Sequence, residues 1–433
     1  MDQRNWIEGP RIYNLLPLLA GPMPRWWPHI ERARAMGFNW LFLNPIQQSG
    51  FSGSLYSIKD YYAIDERLLD SASGTPAEQF RAMAAAVKEA EMNLIMDLVI
   101  NHTAFDSPLV REHPQWYRRG IDGKPLNPGV QDGDRWVTWG DLSEIDNAAS
   151  SDREALWRYW IDLAKNSAAA GFMGFRCDAA YKVPEELWRT LIGEVKRSAP
   201  GATFFAESLG CPFEDTLKLC RAGFDFIFNS SKWWDFTAPW CLAQYRQTSA
   251  VVPSISFAES HDTERLAAEL GGDRQAVKMR YVFSALFSTG VMMPSGFEYG
   301  FRRRLDVVKT KPADWEDPAW DITGFIAAVN RIKRSRRVFN EEGPVEAVDC
   351  GNPSVFAFRK SSRDGAERAL VILNKDRHRS QLCDLSRLGS EFAGANNVED
   401  VSPESRLDPA AGNLMGQLEP SGVRVVVARY AVR

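Results

Sequence analysis

Short apolar runs alternate with stretches in which apolar positions recur every three or four residues, and this rhythm persists through the first three quarters of the chain. Short runs of that kind read as buried strands, and the three-to-four spacing reads as one apolar face of a helix. Eight candidate strands emerge: "RIYNLLPL" from Arg11, "NWLFLNP" from Asn39, "NLIMDLVINH" from Asn93, "GFMGFRCD" from Gly171, "TFFAES" from Thr203, "DFIFNS" from Asp225, "SISFAES" from Ser254 and "GVMMPSG" from Gly290. Helical patterns fall between them at 25–36, 76–91, 153–170, 184–197 and 274–288, with a last one at 322–337. Repeated strand-then-helix order argues for a parallel sheet with covering helices, and eight repeats fit an α/β architecture closed into a (β/α)8 barrel.

Two segments break the rhythm. Residues 103–150 hold no clear helix or long strand but several Gly, Pro, Asp and Trp residues, which reads as a long functional loop or a small inserted domain after the third strand. Beyond about residue 338 the helical pattern stops, and "SVFAFRKSS", "RALVILNKD" and "GVRVVVARYAV" predict a C-terminal antiparallel β domain. The expected division is therefore a catalytic barrel at 1–102 and 151–338, a domain B-like loop at 103–150, and a β-sandwich at 339–433.

Charged residues fall where the barrel strands end. Asn101 and His102 follow the third strand, Arg176 and Asp178 lie on the fourth, Glu207 ends the fifth, and His261 and Asp262 follow the seventh. Alternation sends Arg176 and Asp178 to one face of their strand. Each residue alone has a structural explanation, such as a buried ion pair, a turn residue or a helix cap. Their convergence on one end of different strands points instead to a site, because the chemistry of such barrels sits at the strand C-termini.

Three carboxylates from separate strands, Asp178, Glu207 and Asp262, suit glycosidic bond cleavage. One attacks the anomeric carbon, a second of raised pKa protonates the leaving oxygen, and further contacts stabilise an oxocarbenium-like transition state. Arg176 beside Asp178 would keep that carboxylate ionised. A Mg²⁺ site on oxygen ligands is the competing reading of the same set. No H-E-x-x-H or clustered Cys/His motif points to a transition metal.

Composition narrows the partner. The 52 basic and 56 acidic residues leave a net charge of −4, which indicates neither a nucleic-acid footprint nor a basic membrane face. No apolar N-terminal stretch reads as a signal or span, so a cytoplasmic location is expected. The six cysteines lack C-x-x-C spacing and read as reduced thiols, and neither a cofactor nor a bound metal is expected. Fifteen tryptophans exceed what a core needs; flat rings suit the apolar faces of sugars, with Trp116, Trp136, Trp139, Trp233 and Trp234 as candidate platforms.

Four segments in order, "DLVINH" (97–102), "GFRCDAAYK" (174–182), "FFAES" (204–208) and "FAESHD" (257–262), resemble the four short regions of the α-amylase family, glycoside hydrolase family thirteen. "SLYSIKDYYAID" (54–65) resembles the segment that carries a sugar-stacking tyrosine, here Tyr56. The resemblance implies Asp178 as nucleophile of a retaining mechanism, Glu207 as acid and then base, and Asp262 as transition-state stabiliser. It further implies that Tyr56, His102, Arg176 and His261 contact the reacting sugar of an α-glucan or maltooligosaccharide, with a carboxyl separation of about 5 to 5.5 Å. "SPLVREHPQWY" and "ITGFIAAVNRIKRSRRVF" resemble maltosyltransferases that use maltose 1-phosphate, without their N-terminal domains. Tyr181 and Lys182 stand where many family members have Lys-His, and Asn101 matches a calcium ligand of many amylases. The basic run "FRRRLDVVKTK" (301–311) could meet a phosphate or form a solvated loop. Retaining hydrolase, transglycosylase, sugar 1-phosphate-dependent maltosyltransferase and non-catalytic carbohydrate-binding protein are the readings carried forward; oligomeric state is left open.

Overall fold

The computed structural model describes residues 6–132, 135–384, 389–404 and 415–431. All eight expected strands form: β1 (Arg11–Leu15), β2 (Trp40–Leu43), β3 (Asn93–Leu98), β4 (Phe172–Cys177), β5 (Thr203–Ala206), β6 (Phe226–Phe228), β7 (Ser254–Phe257) and β8 (Gly290–Pro294). Each pairs in parallel with its neighbours in sequence, and β8 returns to β1 to close the barrel. A parallel strand needs a crossover, supplied here by helices α1 (Trp27–Ala35), α2 (Pro76–Glu89), α3 (Arg153–Ala170), α4 (Glu185–Ser198), α5 (Phe213–Leu219), α6 (Trp240–Thr248) and α7 (Arg274–Phe287), and α8 (Thr323–Ser335) follows the last strand. Local chemistry sets their ends. Thr75, just before α2, and Glu78, in its first turn, form a reciprocal capping box about Pro76, and Gly171, at φ 119°, ends α3 in the left-handed region.

The barrel interior is layered by the two-residue period of its strands. Ile12, Phe42, Ile95, Phe205, Phe228, Ile255, Phe257 and Met292 form one apolar cluster inside it. On β4 the corresponding position is Gly174, where a Cβ would lie 2.6 Å from the Ile95 side chain and 2.8 Å from the Trp40 ring. The large neighbours thus occupy the space that β4 leaves. Two residues further along several of these strands the inward positions become polar: Asn14, Asn44, Asp97, Arg176 and Glu207, all buried. An apolar plug below and a polar layer above follow from one alternation.

At the C-terminus an antiparallel sheet runs in the order β9 (Val345–Val348), β10 (Val355–Ser361), β11 (Glu367–Asn374), β13 (Val423–Arg429), β12 (Asn397–Asp400). Its Phe356 and Phe358 pack against Trp234, Phe236, Phe283 and Phe287 of the barrel. Two fully buried lysines tie the seam: Lys333 donates to the carbonyls of Ala285, Ser288 and Phe339, and Lys360 to that of Phe287. Buried ammonium groups are tolerated because each finds such acceptors. Cys177, Cys211, Cys220, Cys241 and Cys350 are free thiols, and the side chain of Cys383 lies outside the described residues. Among the described residues no helix is long and apolar enough to cross a membrane.

Candidate active site

The register of β3 against β4 places Arg176 directly beside Asp97. The Arg176 Nη1 donates to both Asp97 oxygens, at 2.8 and 3.0 Å, and to Asp178 Oδ1 at 2.7 Å. Buried and facing these carboxylates, the guanidinium is held firmly in its charged form although burial itself opposes that. Asn101 donates its amide to the other Asp178 oxygen, at 3.1 Å, and accepts at its Oδ1 from His102 Nδ1. Asp178 therefore has a donor on each oxygen and a side chain open to the cleft. Both ends of the Asn101 amide are occupied by these contacts, and among the described residues no group of three or more His, Cys, Asp or Glu side chains could hold a metal ion.

The chain turns sharply after Asp178. Ala179 sits at φ 40°, in the left-handed region that costs a residue with a Cβ about 1 kcal/mol or more. That turn aims its N–H at Glu207 Oε2, 2.8 Å away, while Leu209 N–H donates to Oε1. Strand β5 delivers Glu207 from the neighbouring position, its own N–H bonded to the Cys177 carbonyl at 3.1 Å. Burial raises the Glu207 carboxyl to about 7, and the Asp178 and Asp262 charges add to this against the opposing Arg176. Crowding by the cleft walls penalises the charge of Asp262. His261, followed by Arg176 and Arg304, outweighs that and holds it low, at about 2. Two carboxyls in one cleft are thus separated into a proton donor and an anion.

Tyr56 ties the far wall together. Its hydroxyl donates to Asp97 Oδ2 at 2.7 Å, meets His261 Nε2 at 2.7 Å and accepts from Asn44 at 2.9 Å. Its ring stacks at 9° on the His261 imidazole, whose Nε2 also lies 3.1 Å from Asp262 Oδ2. Replacing Tyr56 with phenylalanine leaves the Asn44 amide without its acceptor and takes one bond each from Asp97 and His261, which keep Arg176 and Asp262 as partners, at an expected cost of about 1–3 kcal/mol. Thermal denaturation checks this: an unchanged midpoint would show that the hydroxyl does not carry the network.

These groups line a cleft of about 540 Å³, walled by Tyr56, His102, Arg176, Asp178, Glu207 and Asp262, together with Trp139, Tyr181 and Trp233. All seven residues expected at the site meet there, His261 from behind Tyr56 and Asp262. The tryptophans divide. Trp139 and Trp233 reach the cleft, whereas Trp116 and Trp234 are buried in packing and Trp136 is exposed on a hairpin outside the cleft lining. A side chain's indole says nothing about which side of a loop it will take, so that expectation fails for the buried Trp116 and Trp234.

Four participants escaped the sequence reading as site residues. Asp97 had a usable signal, since an acid inside the apolar run "NLIMDLVI" needs a buried cation. Asn44, at the matching end of β2, had the same strand-end signal. Asp141 and the left-handed Ala179 had none, because each depends on a loop conformation.

Comparison with known proteins is consistent with this geometry. The profile of the glycogen debranching enzyme glucanotransferase domain matches residues 7–118. An α-1,4-glucan:maltose-1-phosphate maltosyltransferase of Burkholderia pseudomallei is 24% identical over 383 residues, 85% of this chain and 33% of that protein. Its counterpart in Rhodospirillum rubrum is 27% identical, covering 87% of this chain and 58% of that one. The chain thus spans less than two thirds of the length of these relatives. An α-amylase from Lactobacillus plantarum has the same fold, with a TM-score of 0.76 over 98% of this chain and 99% of that one at 20% identity.

Proposed function

We propose that this chain, which carries the α-amylase-family fold and kinship in sequence to maltosyltransferases, is a cytoplasmic retaining enzyme acting on α-glucosidic bonds. The observation that carries the reading is the meeting of Asp178, Glu207 and Asp262 in one cleft, with Glu207 raised to about 7 and Asp262 lowered to about 2. In this reading residues 1–102 and 151–338 are the catalytic barrel, 103–150 form its inserted wall, and 339–433 support it.

Asp178, oriented by Arg176 and Asn101, attacks the anomeric carbon. The bond to the leaving oxygen breaks as that oxygen takes the Glu207 proton, giving a β-glycosyl ester on Asp178. Asp262 and Asp178 face the oxocarbenium charge that develops on the way. In the second step the Glu207 carboxylate removes a proton from water or from a sugar hydroxyl. Its oxygen then displaces Asp178 and restores the α configuration. Water gives hydrolysis; a sugar gives transfer. A phosphorylated donor is the second reading, favoured by the names of the curated relatives.

Product analysis tests the proposal. Incubation with maltooligosaccharides should yield shortened or redistributed chains whose new reducing ends appear first as the α anomer by proton NMR; β product would overturn retention, and binding without turnover would favour a carbohydrate-binding protein. The first step needs Glu207 protonated, so kcat/KM is expected to fall as pH rises through about 7. A kcat/KM profile flat from pH 6 to 9 would remove Glu207 as the acid.

A further inference from the structure

Lys182, four residues after Asp178 and in the stretch where many family members have Lys-His, touches the wall of the site. Its Nζ donates to the Gly129 carbonyl at 2.6 Å and stands 4.5 Å from the centre of the Trp139 ring. Gly129 begins, and Trp139 follows, the hairpin formed by Gly129–Asp132 and Arg135–Thr138. One amine therefore grips both feet of the hairpin. The glycine is required there: a Cβ at residue 129 would lie 2.4 Å from the Val137 carbonyl oxygen. On its other side Trp139 meets His102 edge-on, at 6.4 Å. The indole that lines the cleft is thus held between the barrel's His102 and the Lys182 ammonium.

The charge inventory of the cleft bears on the same amine. Its lining holds the carboxylates of Asp141, Asp178, Glu207 and Asp262 against one guanidinium, Arg176, which is committed to Asp97 and Asp178. In the basic run after β8, Arg303 pairs with Asp314, while Arg304 pairs with Glu264 and donates to the Asp262 carbonyl. Lys182, close enough to feel the charges of Asp178 and Glu207, is a further cation beside the cleft, and recruiting it to an anionic leaving group would release the hairpin.

We propose that Lys182 is a positioning residue that clamps the inserted hairpin and sets Trp139 over the cleft, its charge withheld from an anionic leaving group. The consequence for substrate rests on the α-glucan reading above; the clamp itself does not. With the indole fixed, a neutral glucan finds a rigid platform at the cleft wall, whereas a phosphate meets carboxylates.

The test compares Lys182→Met, Trp139→Ala and the double variant. In the hairpin itself, trypsin cleavage after the exposed Arg135, followed by mass spectrometry under native conditions, should be accelerated about fivefold or more by Lys182→Met, because local opening governs such cleavage. Equal cleavage in Lys182→Met and the parent protein overturns the clamp, whatever the enzyme does. In turnover of maltoheptaose, Lys182→Met should raise KM about tenfold with kcat within about threefold, and the double variant should be no worse than Trp139→Ala alone. Additive losses would overturn the coupling to Trp139. Finally, maltose 1-phosphate should be used with a kcat/KM at least about 100-fold below that of maltoheptaose, a differential of transition-state binding. Phosphate release that is efficient and lost in Lys182→Met would make the lysine an anion ligand and overturn the proposal. Failure of the parent protein to convert either donor would instead count against the proposed function, leaving the proteolysis result to decide the clamp.

Discussion

Asp178→Asn is expected to lower kcat on maltooligosaccharides by on the order of 10⁴-fold or more, the scale of losing a nucleophile that acts as a unit with its partners. The amide cannot form the glycosyl ester, and it also alters the local bonding. An oxygen can still accept from Arg176 Nη1, but the amide nitrogen then faces the Asn101 amide, donor against donor. A stability loss of about 1–2 kcal/mol accompanies the lost turnover, small enough to keep the fold. Turnover assays with circular dichroism and thermal melting separate the two effects. Activity within tenfold of the parent would sink the nucleophile assignment. A loss of secondary structure would instead show that the Asp97–Arg176–Asp178 network holds up the barrel mouth.

Glu207→Gln is expected to cost about 10³-fold on substrates whose leaving group needs a proton, within the range for general acid–base catalysis. An activated aryl maltoside leaves without that proton, so its first step should be affected much less. The second step still lacks its base, and the glycosyl enzyme should accumulate as a burst of phenol. Azide, which needs no deprotonation, should then accelerate turnover and give a glycosyl azide of retained configuration. A product of inverted configuration would identify residue 207 as the nucleophile and exchange the two roles. The variant should also lose the alkaline limb near pH 7, because the group that burial lifts there is gone.

Much of the architecture was readable before any coordinate. The eight strands and six long helices appear within a few residues of their sequence patterns, as for α3, which spans Arg153–Ala170 as expected. Runs buried on both faces and helices with one apolar stripe leave a local record, since burial constrains residue type at every second or every third to fourth position. The same alternation placed Arg176 and Asp178 on one face and made their strand ends chemical positions.

What the local record lacks is any contact between residues distant in the chain. The bond from Tyr56 to Asp97 and His261 joins three separate segments. The grip of Lys182 on Gly129, and the burial of Trp116 and Trp234 beside the exposure of Trp136, depend on how loops pack after the barrel has closed.

The sequence by itself determined the barrel, its polar end and the residue types there, because strand periodicity dictates which side chains point inward. Only the tertiary structure decided that Glu207 stands near 7 and Asp262 near 2, and which indoles face the substrate. A carboxyl's proton affinity is set by the burial and charges around it, and those surroundings come from different strands and loops that meet only in the folded chain.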